Sequence, residues 1–306
     1  MRVYTHPACL RHAPGAAHPE HAGRLAAVVD ALRSAFADRL DWIEAPAATD
    51  EQLARAHSRR LIAELRERSP SSGLCRLDED TVMSPDSLDA GLRAAGAVCA
   101  AIDAVMTGHP RRAFCAVRPP GHHSPSDQAM GFCLFNQIAV GARHALHDHA
   151  LERVAIVDFD VHHGNGTQSI FEADARVLFV SSHQSPLYPG SGSVSETGVG
   201  NIVNGVLDPG ATSEAFRQLW RERLLPAIDA FAPELLLVSA GFDAHRLDPL
   251  ADLNLTAADY RWITQELIEI ADRHAQGRIV STLEGGYSLT ALRECSVAHV
   301  EALLGN

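Results

Sequence analysis

Short apolar runs alternate along this chain with longer segments whose apolar residues recur every three to four positions. The runs at Val3-Tyr4, Ala113–Val117, Arg153–Phe159, Arg176–Ser181, Glu234–Ala240 and Arg278–Leu283 are apolar at odd and even positions alike. Such strands are covered on both faces, as in a parallel sheet. The periodic segments predict helices over 19–37, 50–67, 85–107, 136–149, 212–231, 256–275 and 288–303. In the third, Leu88, Leu92, Ala95, Cys99, Ile102 and Met106 line one face. Gly91 and Gly96 weaken that helix and so point to close packing. Thr256 followed by Asp259 reads as an N-terminal cap. Alternating strands and helices predict an α/β fold, a parallel sheet between helical layers with right-handed crossovers, formed by one domain over 1–306. Ligands of such sheets bind at the carboxyl ends of the strands. The informative loops are therefore 118–131, 160–166, 182–202, 241–254 and 284–287, the third long and rich in Ser and Gly.

Four of these loops carry chemistry. In VDFDVHHGNGTQ (157–168), Asp158, Asp160 and His162 alternate with Val157, Phe159 and Val161, and a continued strand projects all three from one face. Buried unpaired, such groups cost roughly several kcal/mol each. A cation removes that cost. Asp160 and His162 offer one oxygen and one nitrogen at the strand's mouth, and Asp243 follows the apolar run ELLLVSA. Two Asp and one His suit Zn²⁺ or another first-row divalent ion and leave positions open for water and substrate. The tandem His122-His123 sits in RPPGHHSPSDQAMGFCLFN, with Asp158 and Asn165 as candidate acceptors behind the rings. A carboxylate behind an imidazole fixes its tautomer and makes it a better base. In LEGGYSL, Gly285-Gly286 allows a tight turn that aims the hydroxyl of Tyr287 into the same cleft, where a phenol can donate to a developing oxyanion.

Composition narrows the reading. The net charge is −12 and all 26 basic residues are arginine. That negative field argues against general nucleic-acid binding and mildly favours a cationic substrate or peptide. The six cysteines have no CxxC spacing, so reduced, mostly buried thiols are expected rather than a cysteine zinc site. No apolar run reaches the roughly 20 residues of a membrane span, and MRVYTHPACL has no basic region followed by an apolar stretch. A cytoplasmic location with no membrane partner is the expectation.

In this order the motifs HPEHAGR (18–24), RPPGHH, GFCLFN, DFDVHHGNGTQ, YPGSG, SAGFDAHRLDPL and LEGGYSL resemble the zinc-dependent histone deacetylase superfamily over nearly the whole chain. HHGNGTQ and GFDAHRLDPL are most similar to its class II branch, near bacterial histone deacetylase-like amidohydrolases and acetylpolyamine amidohydrolases. The resemblance implies an arginase/deacetylase-like αβα fold with a mainly parallel sheet of about eight strands. It implies Asp160, His162 and Asp243 as zinc ligands, with His122 backed by Asp158. It makes His123 the general base and acid, with Asn165 behind it leaving it less basic than an Asp would, and Tyr287 the oxyanion donor. Gly131, Phe132 and Tyr188 would form the substrate tunnel, with Tyr in place of the commoner Phe at 188, and Asp80 could contact substrate. Arg24 would line an internal cavity proposed for acetate exit, and a K⁺ site would involve Asp158, Ser181 and the backbone at Asp160 and His162. Bacterial relatives are commonly oligomers, which leaves a homo-oligomer open.

The implied reaction is hydrolysis of N-ε-acyl-lysine in proteins or peptides, with release of acetate. An arginase-type binuclear centre fits poorly, because the second Asp of that motif is replaced by Gly164. Acetylpolyamine hydrolysis is the alternative. One branch with that activity carries an acid at the position of Leu250, and a leucine there favours an acyl-lysine peptide. A scaffold that has kept the fold without the chemistry is disfavoured by the complete set of motifs.

Overall fold

A computed structural model describes residues 1–305. Ten strands form: β1 (Arg2–Thr5), β2 (Asp41–Glu44), β3 (Cys75–Arg76), β4 (Val82–Met83), β5 (Arg112–Cys115), β6 (Val154–Asp158), β7 (Val177–Gln184), β8 (Ile202–Leu207), β9 (Leu235–Ala240) and β10 (Ile279–Leu283). Eight of them make one sheet in the order β2-β1-β5-β10-β9-β6-β7-β8, and β3 and β4 pair separately. Every pairing in the large sheet is parallel. All residues of β6, β7, β9 and β10 are buried, as strands covered on both faces must be. Helices Ser87–Met106 and Gln137–Asp148 pack together on one face, against β5, β10, β6 and β9. Helices Gly23–Phe36, Ala257–His274 and Leu289–Leu304 form a layer on the other. The result is the three-layer α/β architecture.

The differences from the sequence expectation are local. The segment 50–67 is two helices, Asp50–Ala54 and Arg59–Arg68, because Ser58 caps the second by accepting from Leu61 N–H. The run 212–231 stays helical but widens over Trp220–Leu224 into a π-type turn. β7 runs three residues beyond Ser181, and β8, which begins at the end of the Gly/Ser-rich loop, pairs with it. β6 ends at Asp158, so Asp160 and His162 are not strand residues. The Asp158 carboxylate accepts from Asp160 N–H (3.1 Å) and the Asp160 carboxylate from His162 N–H (2.9 Å), and these side-chain turns draw the chain out of the sheet. Close packing at Gly96 is observed: a Cβ there would collide with the backbone of 46–48. Thr256 and Asp259 form the reciprocal capping box. All six cysteines are free, and five are buried.

Candidate active site

The carboxyl ends of β6, β9 and β10 lie side by side, since β6 and β10 both pair with β9. Asp160 and His162 follow β6, Asp243 follows β9, and the 284–287 turn follows β10. One nitrogen of His162, Nδ1, lies 3.1 Å from Asp160 Oδ1 and 3.2 Å from Asp243 Oδ2. The three candidate ligand atoms all fall within 4.8 Å of one another, and all three residues are buried. Each carboxylate is aimed by a backbone donor on its other oxygen. Gly285 N–H gives 2.8 Å to Asp160 Oδ2, and Val161 N–H gives 2.8 Å to Asp243 Oδ1. The first contact demands glycine, because a Cβ at 285 would run into both carboxylates. Gly286 then turns at φ 118, a region closed to most side chains.

The two adjacent histidines stand beside this cluster with their rings 4.0 Å apart. His122 Nδ1 lies 2.9 Å from Asp158 Oδ2, and His123 Nδ1 lies 2.8 Å from Asn165 Oδ1. With Nδ1–H donating to the amide oxygen, His123 keeps Nε2 as its free basic atom. Above them opens a cleft of about 250 Å³ that reaches His123, His162 and Tyr287. Its walls include Phe132, Tyr188, Gly131, Leu250 and Asp80, each anticipated from sequence, and Leu187, which was not. Phe132 holds a left-handed φ of 68, kept there by its N–H donating to Thr81 Oγ1 (3.1 Å), whose hydroxyl donates to Asp80 Oδ1 (2.9 Å). The Tyr188 ring meets the His123 ring edge-on at 5.1 Å. Ser181 lies beside Asp158 in strand register, and its hydroxyl contacts His183 Nδ1 at 3.0 Å.

A histone deacetylase domain model matches residues 18–303. The chain belongs to the histone deacetylase family. It is 40% identical to a histone deacetylase-like amidohydrolase of Pseudomonas aeruginosa over 98% of this chain and 78% of that one. It is 37% identical to a probable deacetylase of Archaeoglobus fulgidus, covering 99% of this chain and 86% of the relative. A crystal structure of the HDA15 HD domain superposes with a TM-score of 0.93 at 34% identity, covering 99% of this chain and 88% of that one.

In this deacetylase the site's electrostatics follow from burial of several charges together. Burial opposes charging of His162, but hydrogen bonds to Asp160 and Asp243 outweigh it and push the ring up to about 10. The cluster therefore demands positive charge, and a divalent cation supplies it with ligands of suitable type: two carboxylate oxygens and an imidazole nitrogen. The donor set fits such an ion. For His122, burial is overcome by the carboxylates of Asp158 and Asp160, and its affinity for a proton rises well above normal. His123 shifts the opposite way, because burial and the neighbouring His122 and His162 all disfavour a second cation. Burial, opposed by Arg24 and aided by Asp243 and Asp160, keeps the Tyr287 phenol protonated and hence a donor.

Several supporting residues of the deacetylase escaped the sequence reading. Glu284 Oε2 accepts from the N–H groups of Gly121 (2.6 Å) and His122 (3.2 Å), fixing the histidine loop from below. Asp248 Oδ2 accepts from Tyr287 N–H (2.7 Å) and Ser288 N–H (3.3 Å). Both acids stand in quoted motifs, and the usable signal was a carboxylate at or near the carboxyl end of a buried strand. Glu20 and Arg118 pair beneath the site, both fully buried. No helix among the described residues is long and apolar enough to cross a membrane.

Proposed function

We propose that this chain is a zinc-dependent deacetylase that removes acetyl groups from N-ε-acetyl-lysine in peptides or proteins, acting as one cytoplasmic domain over 1–306. The observation that carries the reading is the meeting of Asp160, His162 and Asp243 at the floor of a cleft walled by Phe132 and Tyr188. Asp160, His162 and Asp243 would hold Zn²⁺, which when bound polarises the acetamide carbonyl and lowers the pKa of water. K⁺ beside Asp158 and Ser181 belongs to the same proposal.

The chain's own groups then have distinct tasks. Nε2 of His123 takes the proton from the attacking water, with Asn165 holding the ring in the required tautomer. The Tyr287 hydroxyl donates to the oxygen that gains negative charge as the carbonyl carbon becomes tetrahedral. His123 returns its proton to the lysine nitrogen as the C–N bond breaks, and acetate and a free amine leave. His122, charged and paired with Asp158, stays an orienting cation and keeps His123 from holding a proton at rest. Phe132 and Tyr188 give the acyl-lysine stem an apolar passage. Leu250 lines the cleft where the polyamine branch would carry an acid, which supports a peptide over a polyamine.

The test is a competition between acetyl-lysine peptides and acetylputrescine or acetylspermidine, ranked by kcat/KM, with and without chelator. Peptide preference and chelator-sensitive activity restored by Zn²⁺ are expected. A strong polyamine preference overturns the substrate assignment. A zinc-loaded preparation inert on both classes overturns the enzyme assignment.

A further inference from the structure

We propose that Asp103, His144 and His149 form a second divalent-metal site, remote from the cleft, for a borderline ion such as Zn²⁺, Co²⁺ or Ni²⁺. His144 lies on helix Gln137–Asp148, His149 caps its end, and Asp103 lies on the neighbouring helix Ser87–Met106. The two helices approach closely at Gly141, where a Cβ would collide with Val98 and press on Ile102. That approach brings Nε2 of His144 and Nε2 of His149 each to 2.7 Å from the same atom, Asp103 Oδ1. The two rings stand 5.6 Å apart at 77° and converge on that oxygen. The site sits at the amino edge of the sheet, because His149 precedes β6 while the cleft follows it.

Proton bookkeeping turns this convergence into a ligand argument. His144 Nδ1 lies 2.7 Å from Asp148 Oδ2, which also accepts from Arg55 Nη1 at 2.7 Å. A carboxylate behind one imidazole nitrogen holds the ring proton there and presents the other nitrogen as a lone pair, the arrangement common behind metal-bound histidines. Arg55 Nη1 is also 3.3 Å from His144 Nδ1, and is the weaker competitor for it. A lone pair on Nε2 at 2.7 Å from a carboxylate oxygen is repulsive unless a positive centre joins them. The same oxygen also faces Nε2 of His149, and one cation bound to all three atoms satisfies them together. Ligand bonds of about 2.0–2.2 Å need only a small outward rotation of Asp103, whose side chain is 55% exposed. Locally, Asp103 and Asp148 outnumber Arg55 by one charge, so a cation is also favoured by the field. Two imidazoles with one carboxylate select first-row divalent ions over Ca²⁺ or Mg²⁺. Such an ion would clamp the two helices to each other.

The experiment compares zinc-loaded wild type with His149→Ala and Asp103→Asn, all dialysed to equilibrium against the same buffered free Zn²⁺ and measured for bound zinc. The wild type is expected to hold one zinc per chain more than either variant, with kcat/KM alike in all three. Its melting temperature should rise as the extra ion binds, and those of the variants should not. Asp148→Asn should weaken the extra site about 10–100-fold, the usual cost of losing a carboxylate behind a ligating histidine. Equal zinc content in wild type and in whichever of the two ligand variants is folded by circular dichroism overturns the proposal, leaving only protons to bridge the cluster. The readout is a difference between proteins, so it stands whether or not the cleft itself proves to bind zinc.

Discussion

The guanidinium of Arg24 lies 4.8 Å from the centroid of the Tyr287 ring, while its Nε and Nη2 donate to the carbonyls of Gly286 (2.5 Å) and Glu284 (2.6 Å). One fully buried side chain thus supports both the aromatic ring and the turn that carries it. A lysine cannot reproduce that fork. Arg24→Lys is expected to lower kcat by up to about 10²-fold through misplacement of the phenol, with a smaller effect on KM. Steady-state kinetics check this, and an unchanged kcat would remove Arg24 from any positioning role.

The hydroxyl of Tyr287 is predicted to act only on the transition state. Tyr287→Phe keeps the ring stacked on Arg24 and removes the donor. The expected loss is about 10²–10³ in kcat with KM little changed, as for other oxyanion donors. A loss confined to KM would mean that the hydroxyl binds substrate instead.

His123 is held well below its ordinary value by burial and by the imidazoles of His122 and His162. A group with a depressed pKa is unprotonated at neutral pH, so activity should persist into mild acid and fall only as pH drops through that low value. Asn165→Asp places a carboxylate against Nδ1, which favours the imidazolium and raises the pKa. The acid limb of the kcat/KM profile should therefore move to higher pH in the variant. A limb that stays put would show that another group sets it.

Beneath the site, burial opposes ionisation of Glu20, but Arg118, His12 and Arg24 outweigh it and hold the carboxyl well below the usual range. A depressed folded-state value contributes stability that is complete above the unfolded value of about 4.3 and lost as pH falls through the folded one. Glu20→Gln leaves two buried guanidinium groups short of an anion and should cost about 3–5 kcal/mol at pH 7. Urea melts should show the gap from wild type narrowing below about pH 4. A gap independent of pH would mean that shape, not charge, makes Glu20 fit.

The sequence by itself determined what is local or strictly patterned. Parallel strands covered on both faces are mainly apolar at odd and even positions alike, so six of the eight sheet strands were legible as runs. Polar residues immediately after such runs, among them Asp160, His162, Asp243 and Tyr287, marked one edge of the sheet before any coordinates. β2 was not legible, because a four-residue strand with a charged residue at each end carries no periodicity. β8 was hidden because Asn204-Gly205 interrupts it and the preceding residues read as loop. Only the tertiary structure decided which side chains meet across long separations. Arg24 reaches Gly286 over 262 positions, and Arg118 reaches Glu20 over 98. Glu284 finds the histidine loop over 163. Asp103 meets two histidines because Gly141 lets two helices touch. Hydrogen bonds and ion pairs of this kind have no repeat along the chain. They arise where strand order and helix packing place donors beside acceptors, and that placement belongs to the folded molecule.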